Sequence, residues 1–292
     1  MVFGSGRYSY TVDPGWPKRP SEWSWGWTPG MACDSQDRLF VYSRCDHPLL
    51  VFSTDGELLA SWGEGLLKDP HGITIDKDDN VYCVERNRHC VFKFNREGQL
   101  VLTIGLPDVP GAKEGEPFNR PTDIAVASNG ELFISDGYGN SRMHKYSADG
   151  QRLLSWGEPG SRPGQFNLCH CVRIDRQDRL WVCDRENNRI QLFDTTGAFL
   201  TEWTGLLRPN QVWFEPDEDV VYITELTQQI SVYTLDHTLI TKWGGAGQTP
   251  GDGPGQFVGG PHGICRDSKG NLYVGEVFAD GRWHKYVRTE QQ

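Results

Sequence analysis

PHGITIDKDDNVYCVERNRHCVFKFNREGQLVLTIG, residues 70–105, is the stretch whose reading decides the fold. Short apolar or alternating runs, Ile73 to Ile75, Val81 to Val84 and Val91 to Phe94, are separated by Asp, Asn and Gly turn signals, and no helical period appears. That is the chemistry of short strands joined by tight turns. The same pattern recurs in PTDIAVASNGELFISDGYGNSRMHKYSADGQRLLSWG, residues 121–157, and in the segments that open at Pro29, Cys169, Pro209 and Pro261. A repeat of this period marks a repeat architecture. One four-stranded sheet cannot bury both faces alone, so six such units packing radially is the economical solution. The expected fold class is all-β: a six-bladed β-propeller in one domain over residues 1–292, with blades near 29–65, 70–105, 121–157, 169–205, 209–245 and 261–287.

The ends suggest how the ring closes. The last unit stops after 283–287 and lacks the fourth strand that the other five carry as LLASWG, LVLTIG, LLSWG, FLTEW and LITKWG. The strand-like run 8–12 has no unit of its own, so it is expected to complete the sixth blade and cover its edge. Gly/Pro-rich insertions at 106–119, 158–167 and 244–259 are expected to be surface loops.

Composition excludes several classes. The 292 residues carry a net charge of -10 with no Lys/Arg-rich stripe, which argues against a binder that tracks nucleic-acid phosphates. No run approaches the roughly 18 to 20 apolar residues needed to cross a bilayer, and the N-terminus lacks the basic start and apolar stretch of a signal peptide. The expectation is a soluble, cytoplasmic protein acting on a small molecule, with no nucleic-acid or membrane partner. The eight Cys show no CxxC spacing and several lie inside apolar strand patterns, as buried free thiols in a reducing compartment would. Nothing in the sequence bears on oligomeric state.

Equivalent positions in the units are related by rotation, so residue types can be compared blade by blade. The residues that follow the opening Pro or Cys are Gly30, His71, Thr122, His170, Asn210 and His262. Histidine falls in every second blade, at the entry of the strand nearest the axis. Three imidazoles converging from three directions, with a coordination position left open, form a typical catalytic zinc site. The expected ligands are therefore His71, His170 and His262, and the expected cofactor is zinc or another divalent transition metal. His47, His89, His144, His237 and His284 fail the test and are expected at turns or on outer strands, with His144 and His284 as surface residues of a shared (Met/Trp)-His-Lys-Tyr context.

A second layer lies at the ends of the second strands. Acids recur there as Glu85, Asp136, Asp184, Glu225 and Glu276, and their default role is to accept backbone hydrogen bonds at the blade turn. The next residue is Arg44, Arg86 or Arg185 in three blades. Guanidinium groups offer a bidentate fork to an anionic substrate, and ordinary ion pairs with Glu85, Asp184 or Glu186 are the alternative. Tyr138 lies in a glycine-flanked turn beside this layer; it is either a general acid or base near a cation or a packing residue.

The pattern Pro-His-Gly-Ile-x-x-Asp resembles the NHL repeat. PTDIAV (121–126), SDGYGNSR (135–142), SWGEPGSRPGQF (155–166) and CDRENNRIQLF (183–193) are similar to parts of the peptidyl-α-hydroxyglycine α-amidating lyase family, a six-bladed propeller enzyme. The resemblance implies that His71, His170 and His262 hold zinc, that Tyr138 takes part in proton transfer, and that Arg44 and Arg185 bind a substrate carboxylate. It also implies cleavage of a hydroxyglycine N,O-hemiaminal into an amide and glyoxylate. Departures are specific: Gly260 and Gly263 replace the family's Met and Asp around the third histidine, and Gly139, Trp181 and Leu192 stand where disulfide cysteines are expected. Without that Asp the family's structural calcium is in doubt. The expected function is a metal-dependent lyase or hydrolase on a small carboxylated or carbonyl-derived substrate, with Arg44, Arg86 and Arg185 contacting it. One alternative is a non-catalytic NHL scaffold that binds a protein or peptide. The other is a lactonase or hydratase type of propeller enzyme, for whose oxygen-ligand set only Asn210 fits among the entry residues.

Overall fold

The computed structural model describes residues 1–111, 118–245 and 251–289. Its strands begin from a recurrent local device. Asp34, Asp76, Asp175 and Asp267 close the first strand of their blades, and one carboxylate oxygen of each accepts backbone N–H groups two and four residues on. The turn then needs a left-handed residue, supplied by Asp37, Asp79, Asp178 and Gly270 with φ of 59°, 60°, 55° and 89°. Asp tolerates that conformation and Gly adopts it at no steric cost. The other oxygen of Asp76, Asp175 and Asp267 accepts from the second strand's Tyr82, Trp181 or Tyr273. One side chain thereby sets both the turn and the register of the hairpin.

The strands assemble into six sheets, the all-β pattern of a six-bladed β-propeller, and the described helical content is one short turn at Arg185–Asn187. The chain divides into two compact units, Lys68–Val212 and Met1–Leu67 with Trp213–Gln292. The first holds blade 2 (Pro70–Ile75, Val81–Glu85, Cys90–Phe94, Leu100–Gly105) and blade 3 (Asp123–Val126, Leu132–Asp136, Arg142–Tyr146, Arg152–Trp156). It also holds blade 4 (Cys169–Ile174, Leu180–Asp184, Arg189–Phe193, Phe199–Trp203). Second and third strands are buried almost throughout, while the fourth strand faces solvent. Phe133, Met143, Phe166, Val172, Val182 and Phe193 form one core cluster of this unit.

The second unit holds blade 1 (Gly30–Cys33, Leu39–Tyr42, Leu49–Phe52, Leu58–Trp62) and blade 6 (Gly260–Arg266, Leu272–Val277, Trp283–Arg288). The remaining strands of blade 5 after Pro209–Phe214, namely Val220–Glu225, Gln229–Thr234 and Leu239–Gly244, also belong to it. Tyr8–Asp13 pairs antiparallel with Trp283–Arg288, placing Tyr10 opposite Arg288 and Asp13 opposite Lys285. The N-terminal strand therefore completes blade 6. A further strand, Phe3–Ser5, which the sequence did not signal, pairs on its outer side. Tyr10 is fully buried and its hydroxyl lies 2.7 Å from that of Tyr222.

Two sequence expectations are corrected. The insertions are not purely surface loops, because a Phe one or two residues before the end of each is buried: Phe118, Phe166 and Phe257. Phe118 packs at 5.3 Å from His144, Phe166 at 5.8 Å from Phe193, and Phe257 at 5.5 Å from His284. Residues 112–117 and 246–250 of the insertions lie outside the described residues. Second, His144 and His284 are buried, not surface residues. His144 Nε2 lies 3.3 Å from Asp136 Oδ2 and His284 Nε2 lies 2.6 Å from Glu276 Oε1, so each satisfies the acid at the end of the neighbouring second strand. Gln191 and Ser231 donate to Asp184 and Glu225 from the same third-strand position. All eight cysteines are free thiols and six are buried. Among the described residues no helix is long and apolar enough to cross a membrane.

Candidate active site

Each candidate ligand is the second or third residue of a first strand, in Pro70–Ile75, Cys169–Ile174 and Gly260–Arg266. Pairing with the second strand slips at that point, between Pro70 and Ile73, Cys169 and Cys171, and Pro261 and Ile264. The corresponding pairing in blade 1, which carries Gly30 at this position, runs without a slip. A bulge re-aims the side chain it carries, so local backbone irregularity coincides with the histidines.

His71, His170 and His262 are 1%, 1% and 5% exposed. Their Nδ1 atoms lie 2.6 Å from Thr122 O, 2.9 Å from Asn210 O and 2.6 Å from Pro29 O. Each partner is at, or one residue before, the entry position of the following blade. A carbonyl only accepts, so Nδ1 carries a proton in all three and Nε2 is the ring nitrogen turned away from the backbone. That is how ligating histidines are oriented by the groups behind them. The rings of His71 and His170 lie 4.9 Å apart, centre to centre.

Tyr138 joins two of them: its hydroxyl is 3.2 Å from His71 Nε2 and 3.5 Å from His170 Nε2. The flanking glycines have a steric reason. A Cβ at Gly137 would stand 2.2 Å from Cys169 O, and one at Gly139 would stand 2.3 Å from Asn119 O. The guanidinium groups of Arg86 and Arg185 lie over the Tyr138 ring at 5.4 and 5.8 Å. Asp69 holds Arg86 through two oxygens at 2.8 and 3.2 Å. Arg185 is paired with Glu186 at 2.9 Å, an acid that also takes Arg208. Arg44 lies in the other unit, half-buried, with its guanidinium 5.6 Å from the Trp27 ring centre.

The recurrent acids do what their recurrence implied. Glu85 accepts the N–H groups of Lys68 and Asp69, Asp136 that of Asn119, Asp184 that of Asn167, and Glu276 those of Val258 and Gly259. Glu225 differs, taking Gln229 and Ser231 side chains. The other histidines stand apart: His47 stacks on Trp23 at 3.6 Å, His89 accepts the N–H of Arg120, and His237 packs on Tyr233. The two glycine departures are also packed in. A Cβ at Gly260 would meet Leu226 Cδ1 at 2.5 Å, a side-chain end that would have to shift, and one at Gly263 would meet the backbone at Met31 N at 2.6 Å, so position 263 has no room for the family's side chain.

The NHL repeat model matches residues 67–94, 118–146 and 166–193, which are parts of blades 2, 3 and 4. Human NHL repeat-containing protein 3 is 35% identical over 234 residues, covering 74% of this chain and 67% of that protein. The peptidyl-alpha-hydroxyglycine alpha-amidating lyase 1 of Drosophila melanogaster is 30% identical over 257 residues, covering 80% of this chain but 47% of its own length. Among solved structures, a gluconolactonase from Xanthomonas campestris superposes with a TM-score of 0.67 at 14% identity, over 91% of this chain and 88% of that one. That likeness is one of fold. On its repeats and on its identity to a relative that it covers to two thirds, the chain belongs to the family of NHL-repeat β-propellers.

Proposed function

We propose that the protein is a metal-dependent lyase that cleaves a small carboxylated N,O-hemiaminal to an amide and an aldehyde acid. The observation that carries this reading is the shared orientation of His71, His170 and His262, each with Nδ1–H on a backbone carbonyl, which turns Nε2 away from the backbone as in a ligating histidine. Three neutral nitrogen donors suit zinc or another divalent transition metal. Such an ion, when bound, supplies a Lewis acid for a substrate oxygen. The named activity of the Drosophila relative supports the reaction class.

The chain's own residues divide the remaining work. Tyr138 Oη, 3.2 Å from His71 Nε2, relays the proton: it takes that of the substrate hydroxyl as its own phenolic proton passes to the leaving nitrogen. The C–N bond breaks, its electrons go to nitrogen, which gains that phenolic proton, and the carbon becomes a carbonyl, so Tyr138 ends as the neutral phenol it began as. Arg86 and Arg185, over the Tyr138 ring, place positive charge beside the oxygen that loses its proton. Arg44 and Arg185 orient the carboxylate through their guanidinium forks. Asp69 and Glu186 hold Arg86 and Arg185 in place.

Metal analysis of wild type and His170→Ala, together with glyoxylate release from an α-hydroxyglycine amide, tests the proposal. Wild type should hold about one equivalent of transition metal, His170→Ala should lose it, and Tyr138→Phe should keep the metal while release falls about 100-fold or more. A wild type that purifies without metal and yields no glyoxylate on zinc addition would exclude the reading; lactone opening in its place would select the hydrolase alternative.

A further inference from the structure

Beside the candidate site, the chain buries a cation of its own. Arg173, on the strand Cys169–Ile174, donates from Nη1 to Asp123 Oδ2 at 2.5 Å, Val172 O at 2.8 Å and Ile124 O at 3.2 Å, and from Nη2 to Ile73 O at 3.2 Å. These acceptors belong to the first strands of blades 2, 3 and 4. The side chains of Arg173 and Asp123 are 15% and 3% exposed, and Val172 N also donates to Asp123 Oδ2. Asp123 Oδ1 is buried with no hydrogen-bond partner. A Cβ on Gly72 would stand 2.4 Å from that oxygen, so the carboxylate has been packed against the neighbouring blade where only glycine leaves space. Burial opposes the charge on Arg173, but Asp123, together with Cys171 and Cys183, offsets it, and the guanidinium holds its proton more tightly than usual.

Backbone carbonyls with a carboxylate are the donor set that a hard cation such as calcium takes. Here they converge on a guanidinium. The residues one place after the blade entries are Met31, Gly72, Asp123, Cys171, Gln211 and Gly263, so Asp123 is the sole carboxylate at this repeat position. The amidating-lyase resemblance places its calcium carboxylate at the position of Gly263. This chain does not fit that ion: position 263 has no room for a side chain and Asp123 is committed to Arg173.

We infer that Arg173 is a built-in structural cation, tying the first strands of blades 2, 3 and 4 through Ile73 O, Ile124 O, Val172 O and the Asp123 carboxylate, and that this protein takes no calcium for its stability. A buried carboxylate left without its cation is strongly destabilising, whereas replacing both partners by neutral groups of like size is far milder.

Thermal unfolding in EGTA, followed by separate add-back of calcium and zinc, is the decisive measurement, because EGTA removes both ions. Any Tm lost in EGTA should return with zinc and not with millimolar calcium. Arg173→Met should lower Tm on the order of 10 °C, Arg173→Lys by less, and Asp123→Asn combined with Arg173→Met should recover part of the loss. Recovery of wild-type Tm by calcium alone would overturn the inference, as would Arg173→Met unfolding at the wild-type temperature. If Arg173→Met does not fold, the wild-type add-back and the double variant still decide. The zinc arm reads the proposed active site separately, so failure there leaves the calcium result standing.

Discussion

His89 shows how much a single residue's role depends on what the fold puts beside it. It occupies a turn with φ 58°, is buried, and its Nδ1 accepts the N–H of Arg120 at 3.0 Å. Burial, and then the charge of Arg120, lower its pKa from the ordinary value of 6.5. The neutral ring is therefore the form the folded state prefers. Its contribution is present above the unfolded pKa of about 6.5 and is lost as pH falls through the lower folded value. Tm should drop between about pH 7 and about pH 5. His89→Asn keeps an acceptor and tolerates the left-handed backbone, so it should flatten that part of the Tm–pH curve; equal slopes in the two proteins would show that His89 carries none of it. His144 and His284 teach the complementary lesson. Their shared (Met/Trp)-His-Lys-Tyr context reads as a surface, yet each lies eight residues from a buried acid across a hairpin, at 3.3 and 2.6 Å. The available signal was the polar residue that recurs two places before the third strand's closing aromatic residue, as His144, Gln191 and His284 do before Tyr146, Phe193 and Tyr286.

At the scale of the element, the hairpins were legible and the loop anchors were not. An Asp followed by a left-handed Asp or Gly is a local rule, satisfied by backbone N–H groups within four residues. Phe166 is different, because its partner Phe193 comes from the third strand of the blade that follows the loop. The residue is fully buried and its ring belongs to the core of that unit. Phe166→Ala should cost about 3–5 kcal/mol, or on the order of 10 °C in Tm. Ser161→Ala, at an exposed place in the same loop, should stay within about 0.5 kcal/mol. Calorimetry of the two variants checks both; similar losses would mean the loop acts as a whole and Phe166 is not its anchor.

For the whole molecule, closure depends on a strand far away in sequence. Tyr8–Asp13 covers the edge of Trp283–Arg288, and Phe3–Ser5 pairs outside it. Deleting residues 1–13 would expose the row of unpaired N–H and C=O groups on 283–288, a template for pairing with another chain. Light scattering should then show larger species than the full-length protein forms, with a lower Tm; an unchanged size and Tm would show that blade 6 needs no cover. The repeat, the strand class, the expected closing strand and the three entry histidines follow from the sequence by itself, because turn chemistry and apolar alternation act over a few residues and the rotational comparison needs only alignment. Tertiary structure alone decided the bulge at each histidine, the carbonyl that sets its tautomer, the burial of His144 and His284, and the commitment of Asp123 to Arg173. Those depend on partners brought together from distant parts of the chain: His71 meets a carbonyl 51 residues on, and His262 meets Pro29 O across 233 residues. No local pattern encodes such a contact, since its energy exists only once the blades are packed.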